Sequence, residues 1–479
     1  LYALPELDGA IDPVPLGGLV GERIQLIPER LRRLTGRLRG WIALRRRPPA
    51  ERRVAIVLYG FPPGYGATGT AALLQVPQSL IALLRAMREQ GYRIDDLPED
   101  GEELIARVKQ ADQAWVEQVP EGVSFDEAPG TSVDTATLEQ WLGGLRSGWI
   151  EKQWGPLDGS GIRTLGDRFL LGGVSLGNVW IGVQPPLGVA GDPMRLMYER
   201  DLTPHPQYAA FYGWLQHGFR ADAVIHFGMH GTVEWLPGCP LGNTGYSWPD
   251  ILLGDMPHLY VYAANNPSES MLAKRRGYGV LLSHNVPPYG RAGLYKELLA
   301  LRDLIAEYRE DPERNDALRP AILRRVVDLG LDADCPPDPG LLQAADAPAG
   351  GGPDPLPYLV KLAGYLELLE NRLFSSGLHV LGRVPDREEL LSYLSAYFGD
   401  DLPPETLEAI ARQPDEAEVT TDLPAASEAE QARIAEARRI VQLLRRTPEE
   451  IGNLLRGLNG EYIPPAPGGD LLRDGPGVL

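Results

Sequence analysis

The feature that most narrows the fold is a recurring unit: a short β-branched apolar run, a glycine-bearing loop, then a helical segment. Val54-Ala-Ile-Val-Leu-Tyr59 is one such run, Phe61–Gly69 is its loop, and Thr70–Glu89 carries helically spaced Leu73, Leu74, Ile81, Leu84 and Met87. Pro77 is expected to kink or restart that helix, and Gly91 to close it. Helical patterns at Glu102–Glu117 and Thr135–Gly148 follow, then strand-like runs at Arg168–Val174 and Asn178–Val183. A helix over Gln207–Phe219 leads into a strand closing at Phe227, with further strands at His258–Ala264 and Tyr278–Ser283. Alternation of this kind predicts an α/β fold of parallel, doubly wound sheets with flanking helices. Ligands in such sheets bind beyond the carboxyl ends of the strands.

Composition separates the regions. Residues 333–357 are rich in Pro, Gly and Ala and read as a linker or long loop, and residues 358–479 as a mainly helical region. The expected organisation is a basic helical lead-in (1–53), an α/β domain (54–155), a second α/β domain (156–332), the linker and the helical region. The lead-in holds eleven arginines between Glu22 and Arg53, with Ile27, Leu31, Leu34 and Leu38 at helical spacing and Gly36 and Gly40 interrupting. Its arginines read as a solvated face or interdomain strut, or as a docking surface for an acidic partner. There is no internal repeat.

A formal charge of −19 argues against a general nucleic-acid binder. Two cysteines, Cys239 and Cys335, cannot build a disulfide framework, and no apolar run reaches transmembrane length, so a cytoplasmic location is expected. The chain opens on Leu1 and reads as an internal piece of something longer.

The chemistry concentrates after the strand ending at Phe227. His226-Phe-Gly-Met-His230-Gly-Thr-Val-Glu234 places two imidazoles and a carboxylate at four-residue spacing, with Gly228 and Gly231 permitting a sharp turn. Such a trio meets a divalent ion, or moves protons with imidazoles that titrate near neutrality, or is a hydrogen-bonded strand-end turn. A second cluster, Asn265-Asn-Pro-Ser-Glu269, also follows a strand and leads to Lys274-Arg275-Arg276. The basic triplet either complements the helix dipole or captures carboxylates. Gly64-Tyr-Gly66-Ala-Thr-Gly69 matches G-x-G-x-x-G between strand and helix, which raises an NAD-dependent oxidoreductase as a rival reading. A tight turn or an anion site fits it as well.

Three long segments carry a family resemblance: Gly177–Pro186 through Gly191–Arg195, the His226–Gly238 motif, and Ala263–Glu269 with Ala273–Tyr278. They are similar to the large-subunit family shared by magnesium chelatase and aerobic cobaltochelatase. Val54–Val76 and Pro287–Tyr295 extend the similarity over most of residues 50–310. Val57–Pro63 and Pro249–Gly254 resemble the magnesium branch, and within it the bacteriochlorophyll type.

The resemblance implies a subunit that binds protoporphyrin IX and receives Mg²⁺, while AAA+ partner subunits hydrolyse ATP. No G-x-x-x-x-G-K-[ST] P-loop occurs in this chain. Glu234 would contact Mg²⁺ or accept pyrrole protons, with His230 and His226 as base, relay or orienting groups. Asp192 and Glu269 would complete an acidic path for the metal. Arg195, Arg275 and Arg276 would hold propionates, and Trp235 and Tyr246 would offer flat apolar contact to the macrocycle. A cobaltochelatase large subunit and a non-catalytic tetrapyrrole-binding relative remain the alternatives.

Overall fold

The computed structural model of the protein describes residues 2–59, 70–71, 74–117, 131–157, 164–165, 167–185, 187, 202–228, 231–239, 241–263, 267–285, 293–310, 316–328, 331, 335, 337, 340–341, 354–373, 379–412 and 427–465. Met229, His230, Asp192, Arg195 and the Gly64–Gly69 loop lie outside the described residues.

The strands, in chain order, are β1 (Gly17–Val20), β2 (Arg23–Leu26), β3 (Val54–Leu58), β4 (Thr70–Ala71), β5 (Leu74–Gln75), β6 (Thr131–Asp134), β7 (Thr164–Leu165), β8 (Arg168–Gly172), β9 (Val174–Leu176), β10 (Val179–Val183), β11 (Ala223–Phe227), β12 (His258–Val261) and β13 (Val280–Leu282). The helices used below are α1 (Ala3–Leu7), α2 (Pro28–Arg46), α3 (Val76–Glu89), α4 (Gly101–Glu117), α5 (Thr135–Leu142), α6 (Gly144–Trp154), α7 (Pro206–Gly213), α8 (Trp248–Leu253) and α9 (Pro267–Arg276).

Six strands form one sheet in the order β13-β12-β11-β3-β10-β9, parallel except for the β10–β9 edge pair. Its central strand β3 is buried throughout, and its side chains alternate between two cores. Val54, Ile56 and Leu58 pack with Leu80, Leu84 and Met87 of α3 and Leu104 and Val108 of α4. Ala55 and Val57 face the opposite core, among Tyr208, Phe211 and Tyr212 of α7 and Leu252 and Leu253 of α8. The fold is therefore mixed α/β with helices on both faces of a mostly parallel sheet.

Several expectations are corrected. The boundary set at 155/156 cuts through this sheet, because β3 pairs with both β10 and β11. The chain instead forms two compact units. One comprises Leu1–Val286, His379–Val384 and Gln442–Leu479; the other comprises Pro287–Leu378 and Pro385–Val441. The second unit is helical, with Leu301, Ile305, Ile322, Leu323, Leu359 and Leu362 in its core. Thr70–Ala71 and Leu74–Gln75 form two short strands rather than the first turns of a helix. Helix α3 starts at Val76, and Pro77 occupies its first turn, where a missing N–H costs nothing.

Helix α2 departs from the expected amphipathicity. Arg30 and Arg37 are buried with Trp41 and Leu44, while Leu31, Leu38 and Ile42 are exposed. The arginines turn inward because aspartates await them. Asp250 of α8 accepts from Arg30 Nη1 at 3.0 Å and from Arg33 Nη2 at 2.9 Å. Arg37 Nε reaches Asp12 at 2.7 Å, and its Nη1 reaches the Gly254 and Met256 carbonyls at 3.1 Å each. The two helix glycines permit the approach: a Cβ at Gly36 would lie 2.1 Å from Asp255 Oδ2, and one at Gly40 2.7 Å from the Asp255 carbonyl. Thus α2 clamps the α8–β12 crossover, and through it the position at which β12 begins.

Candidate functional site

The His/Glu motif sits at the carboxyl end of β11. Gly228 turns the chain there at a φ of 96°, a conformation that favours glycine. After Gly231, a single 3₁₀ turn, Val233–Trp235, carries Glu234 fully buried. Arg276, at the end of α9, holds this turn from below. Its guanidinium donates to the carbonyls of Glu234 at 2.6 Å, Cys239 at 2.7 Å and Leu236. Five donors in a rigid fork suit a set of carbonyls that face one point.

Tyr260 connects the turn to β12. Its hydroxyl donates to Glu234 Oε1 at 2.5 Å and accepts the Gly231 N–H. Burial, then the charge of Glu234, raise this phenol's pKa well above its ordinary value, so it stays a donor. Gly231 lies between the two expected functional groups. A Cβ there would stand 3.2 Å from Glu234 Oε2 and 3.3 Å from His226 Nε2. Carboxylate and imidazole therefore face the same glycine.

His226 belongs to a directed hydrogen-bond chain. His258 Nδ1 lies 2.6 Å from the Gly277 carbonyl, which can only accept, so Nδ1 carries the proton. Burial pulls the His258 pKa down to about 4, so its other nitrogen is bare near neutrality. It accepts from His226 Nδ1 at 2.5 Å. Burial, then His258, hold the His226 pKa well below its usual value. His226 Nε2 is thus an acceptor, and Tyr212 O–H donates to it at 3.0 Å. Beyond Tyr212, the Gln184 amide nitrogen contacts the hydroxyls of Tyr212 (3.0 Å), Thr232 (2.8 Å) and Tyr208.

Glu269, in the first turn of α9, accepts from Tyr262. Burial, the bond to Glu269 and the charges of Glu269 and Glu234 raise the Tyr262 pKa, and burial followed by the same two carboxylates raises that of Tyr59 beyond β3. Two phenols thus feel both acids. The ends of β3, β11 and β12 bring His226, Glu234, Glu269, Tyr59, Tyr260 and Tyr262 into one neighbourhood at the carboxyl edge of the sheet.

Other expected residues have other surroundings. Arg276 is engaged by backbone carbonyls, and Arg275 forms a two-pronged bond to Glu6 of α1 at 2.6 and 2.7 Å, with Lys274 at 3.2 Å from the same carboxylate. Neither guanidinium faces the Glu234 carboxylate. Trp235 is buried in the turn, and Tyr246 is 73% exposed beside Trp149. Among the described residues, no three His, Cys, Asp or Glu side chains form a metal-ligand set.

Tyr260, Tyr262, Tyr212, Tyr59, His258 and Gln184 were not singled out by sequence. The usable signal was the alternation His258-x-Tyr260-x-Tyr262. It places three polar rings on one sheet face, with Leu259 and Val261 in the core on the other.

A mostly parallel sheet with a buried carboxylate and hydrogen-bonded imidazoles at its carboxyl edge defines an α/β class with polar groups where such sheets bind ligands, and comparison with known proteins makes the class specific. The CobN/Magnesium Chelatase family matches residues 1–431 and 404–479, and the chain belongs to that family. The magnesium-chelatase H protein of Chlorobaculum parvum is 36% identical, covering 100% of this chain and 41% of that protein. The aerobic cobaltochelatase subunit CobN of Pseudomonas aeruginosa is 34% identical over 82% of this chain and 32% of its own length. Among solved structures, the catalytic subunit of cobaltochelatase from Mycobacterium tuberculosis aligns over 100% of this chain and 43% of that one, with a TM-score of 0.66 and 27% identity. The chain spans between about a third and about two fifths of the length of these relatives.

Proposed function

We propose that this chain carries the metallation site of a magnesium chelatase large subunit, which inserts Mg²⁺ into protoporphyrin IX in (bacterio)chlorophyll synthesis. ATP is hydrolysed in this reading by partner subunits of the AAA+ class, and the complex works in the cytoplasm. No described helix is long and apolar enough to cross a membrane. The observation that carries the reading is Glu234: a buried carboxylate, oriented by a phenol and adjoining a neutral imidazole across Gly231.

Metallation of a porphyrin removes two pyrrole N–H protons and several waters from a reluctant Mg²⁺. Glu234 supplies hard oxygen for the ion or accepts a proton. His226, with a bare Nε2, is the next acceptor, and His258 and Gly277 fix its tautomer. His230 acts as a further base, and Glu269 and Asp192 extend the acidic path for the metal. Arg195 is the remaining candidate cation for the propionates.

Cobalt insertion is the second reading, supported by the full-chain likeness to a cobaltochelatase catalytic subunit. The test is Glu234→Gln in the full-length subunit assembled with its ATPase partners. Loss of a general base is worth about 10²–10⁴ in rate. Insertion is expected to fall by that factor while porphyrin binding, followed by fluorescence quenching, is retained. Insertion within a few-fold of the parent rate would make Glu234 structural. Faster turnover with Co²⁺ and a corrinoid precursor would move the assignment to the cobalt branch.

A further inference from the structure

We infer that the outer face of α2, with the β1–β2 hairpin that leads into it, is a docking surface for an acidic amphipathic helix of another polypeptide. An ordinary surface helix turns its apolar stripe to the core and its charges to water. Helix α2 mixes the two: Arg30 and Arg37 are buried beside Trp41 and Leu44, and apolar side chains share the outer face with exposed arginines. Its inward arginines are consumed by Asp12, Asp250 and Asp255. Leu31, Leu38 and Ile42 stand outward at 41, 51 and 49% exposure. Their spacing of seven and four residues puts them within a narrow sector of one helix face.

The hairpin repeats the pattern. Its register sets Leu19 opposite Ile24 and Gly17 opposite Leu26, so these side chains share one face. Leu19, Ile24 and Leu26 are 73, 84 and 55% exposed. A bare two-stranded ribbon is marginal in water. A single exposed leucine needs no explanation, but aligned apolar residues on two consecutive elements mark an interaction surface.

Charge selects the occupant. Arg32, Arg39 and Arg46 follow one another at seven-residue spacing beside the leucine row, all exposed, with no ion-pair partner among the described residues. A second copy packed isologously would set these arginine ridges against each other. A helix with a leucine seam flanked by Glu or Asp satisfies both rows, as flanking charges do in a coiled coil. The inference does not depend on metallation chemistry, so either can fail alone.

The test uses two labelled synthetic helical peptides with one leucine heptad seam, about 28 Å long to match the nineteen residues of α2. One peptide is flanked by Glu and the other by Lys. Fluorescence anisotropy with the 479-residue chain is expected to show saturable binding of the Glu peptide only, weakened by salt. The triple variant Leu31→Glu/Leu38→Glu/Ile42→Glu should lose at least about tenfold in affinity. Arg32→Glu/Arg39→Glu/Arg46→Glu should exchange the preference and bind the Lys peptide. All six positions are solvent-facing, so an unchanged circular-dichroism melt is expected for both variants. Failure of the Glu peptide to bind, equal binding of the two peptides, or unaltered binding by the variants overturns the inference. So does self-association of the parent chain that the leucine variant abolishes, which would make the occupant a second copy.

Discussion

Replacing Tyr260 with Phe removes one oxygen from the centre of the site and nothing else. That oxygen donates to Glu234 Oε1 at 2.5 Å and accepts the Gly231 N–H. A hydrogen bond to a charged group contributes about 1.5–3 kcal/mol, and a buried N–H left without its acceptor costs about 1–3 kcal/mol. Phe itself fits the space and buries no polar atom, which offsets part of the sum. The net expected destabilisation is about 3 kcal/mol, concentrated in the Gly231–Trp235 turn. Because the chain has two compact units, a single global midpoint is a poor gauge. Amide exchange at Gly231 reads the turn directly, and about 3 kcal/mol corresponds to exchange faster by about two orders of magnitude. Glu234→Gln supplies the cross-check: in a double-mutant cycle, the two changes should be strongly non-additive. A Tyr260→Phe protein with parental Gly231 protection, or costs that simply add, would refute the idea that this phenol holds the carboxylate.

Two further outcomes follow from buried charge. Asp250→Ala removes the buried partner that Arg30 and Arg33 share, leaving Arg30 to Glu29 and Arg33 to the more exposed Asp255, so the expected cost is at the low end of the about 3–5 kcal/mol for breaking a buried ion network, measurable as a lower thermal midpoint of the unit containing the sheet. Stability should also fall on acidification between pH about 6.5 and about 4. His258 and His284, pulled down to about 4 mainly by burial, stay neutral in the folded chain while the unfolded chain binds protons at about 6.5. At pH about 5 each contributes a loss of about 2 kcal/mol, and a pH-independent melt between 7 and 5 would contradict this.

The sheet was legible because its central strands are wholly buried, and a wholly buried strand writes itself as a continuous apolar run, as Val54–Leu58 does. The position of the site was legible for a related reason: polar residues directly after such a run lie at the carboxyl edge. The orientation of α2 was not. Helical spacing finds Ile27, Leu31, Leu34 and Leu38, but whether they face in depends on Asp250 and Asp255, more than two hundred residues away. Arg276 was misleading for the same reason, since three backbone carbonyls that it meets carry no sequence signature. The tyrosines were hidden differently. Tyr260 and Tyr262 look like ordinary strand aromatics until the parallel pairing sets Tyr260 beside His226.

The donors around Glu234 bear on what a buried carboxylate is for. A guanidinium paired directly with it would favour the charged form and weaken it as a proton acceptor. Here the cation is one step removed. Arg276 spends its hydrogen bonds on the backbone of the same turn, yet its charge and that of Glu234 still favour each other. Tyr260, held protonated, supplies a neutral donor to Oε1. The arrangement lowers the cost of burying the anion and fixes its orientation. The imidazoles obey the same logic. Burial keeps His226 and His258 neutral, and the Gly277 carbonyl sets the direction of every hydrogen bond up to Tyr212. The Gly277 carbonyl can only accept, so it ends the chain, pins its polarity and leaves His226 Nε2 as an unprotonated nitrogen. Burial of both imidazoles favours their neutral forms, and that keeps the polarity of the chain fixed.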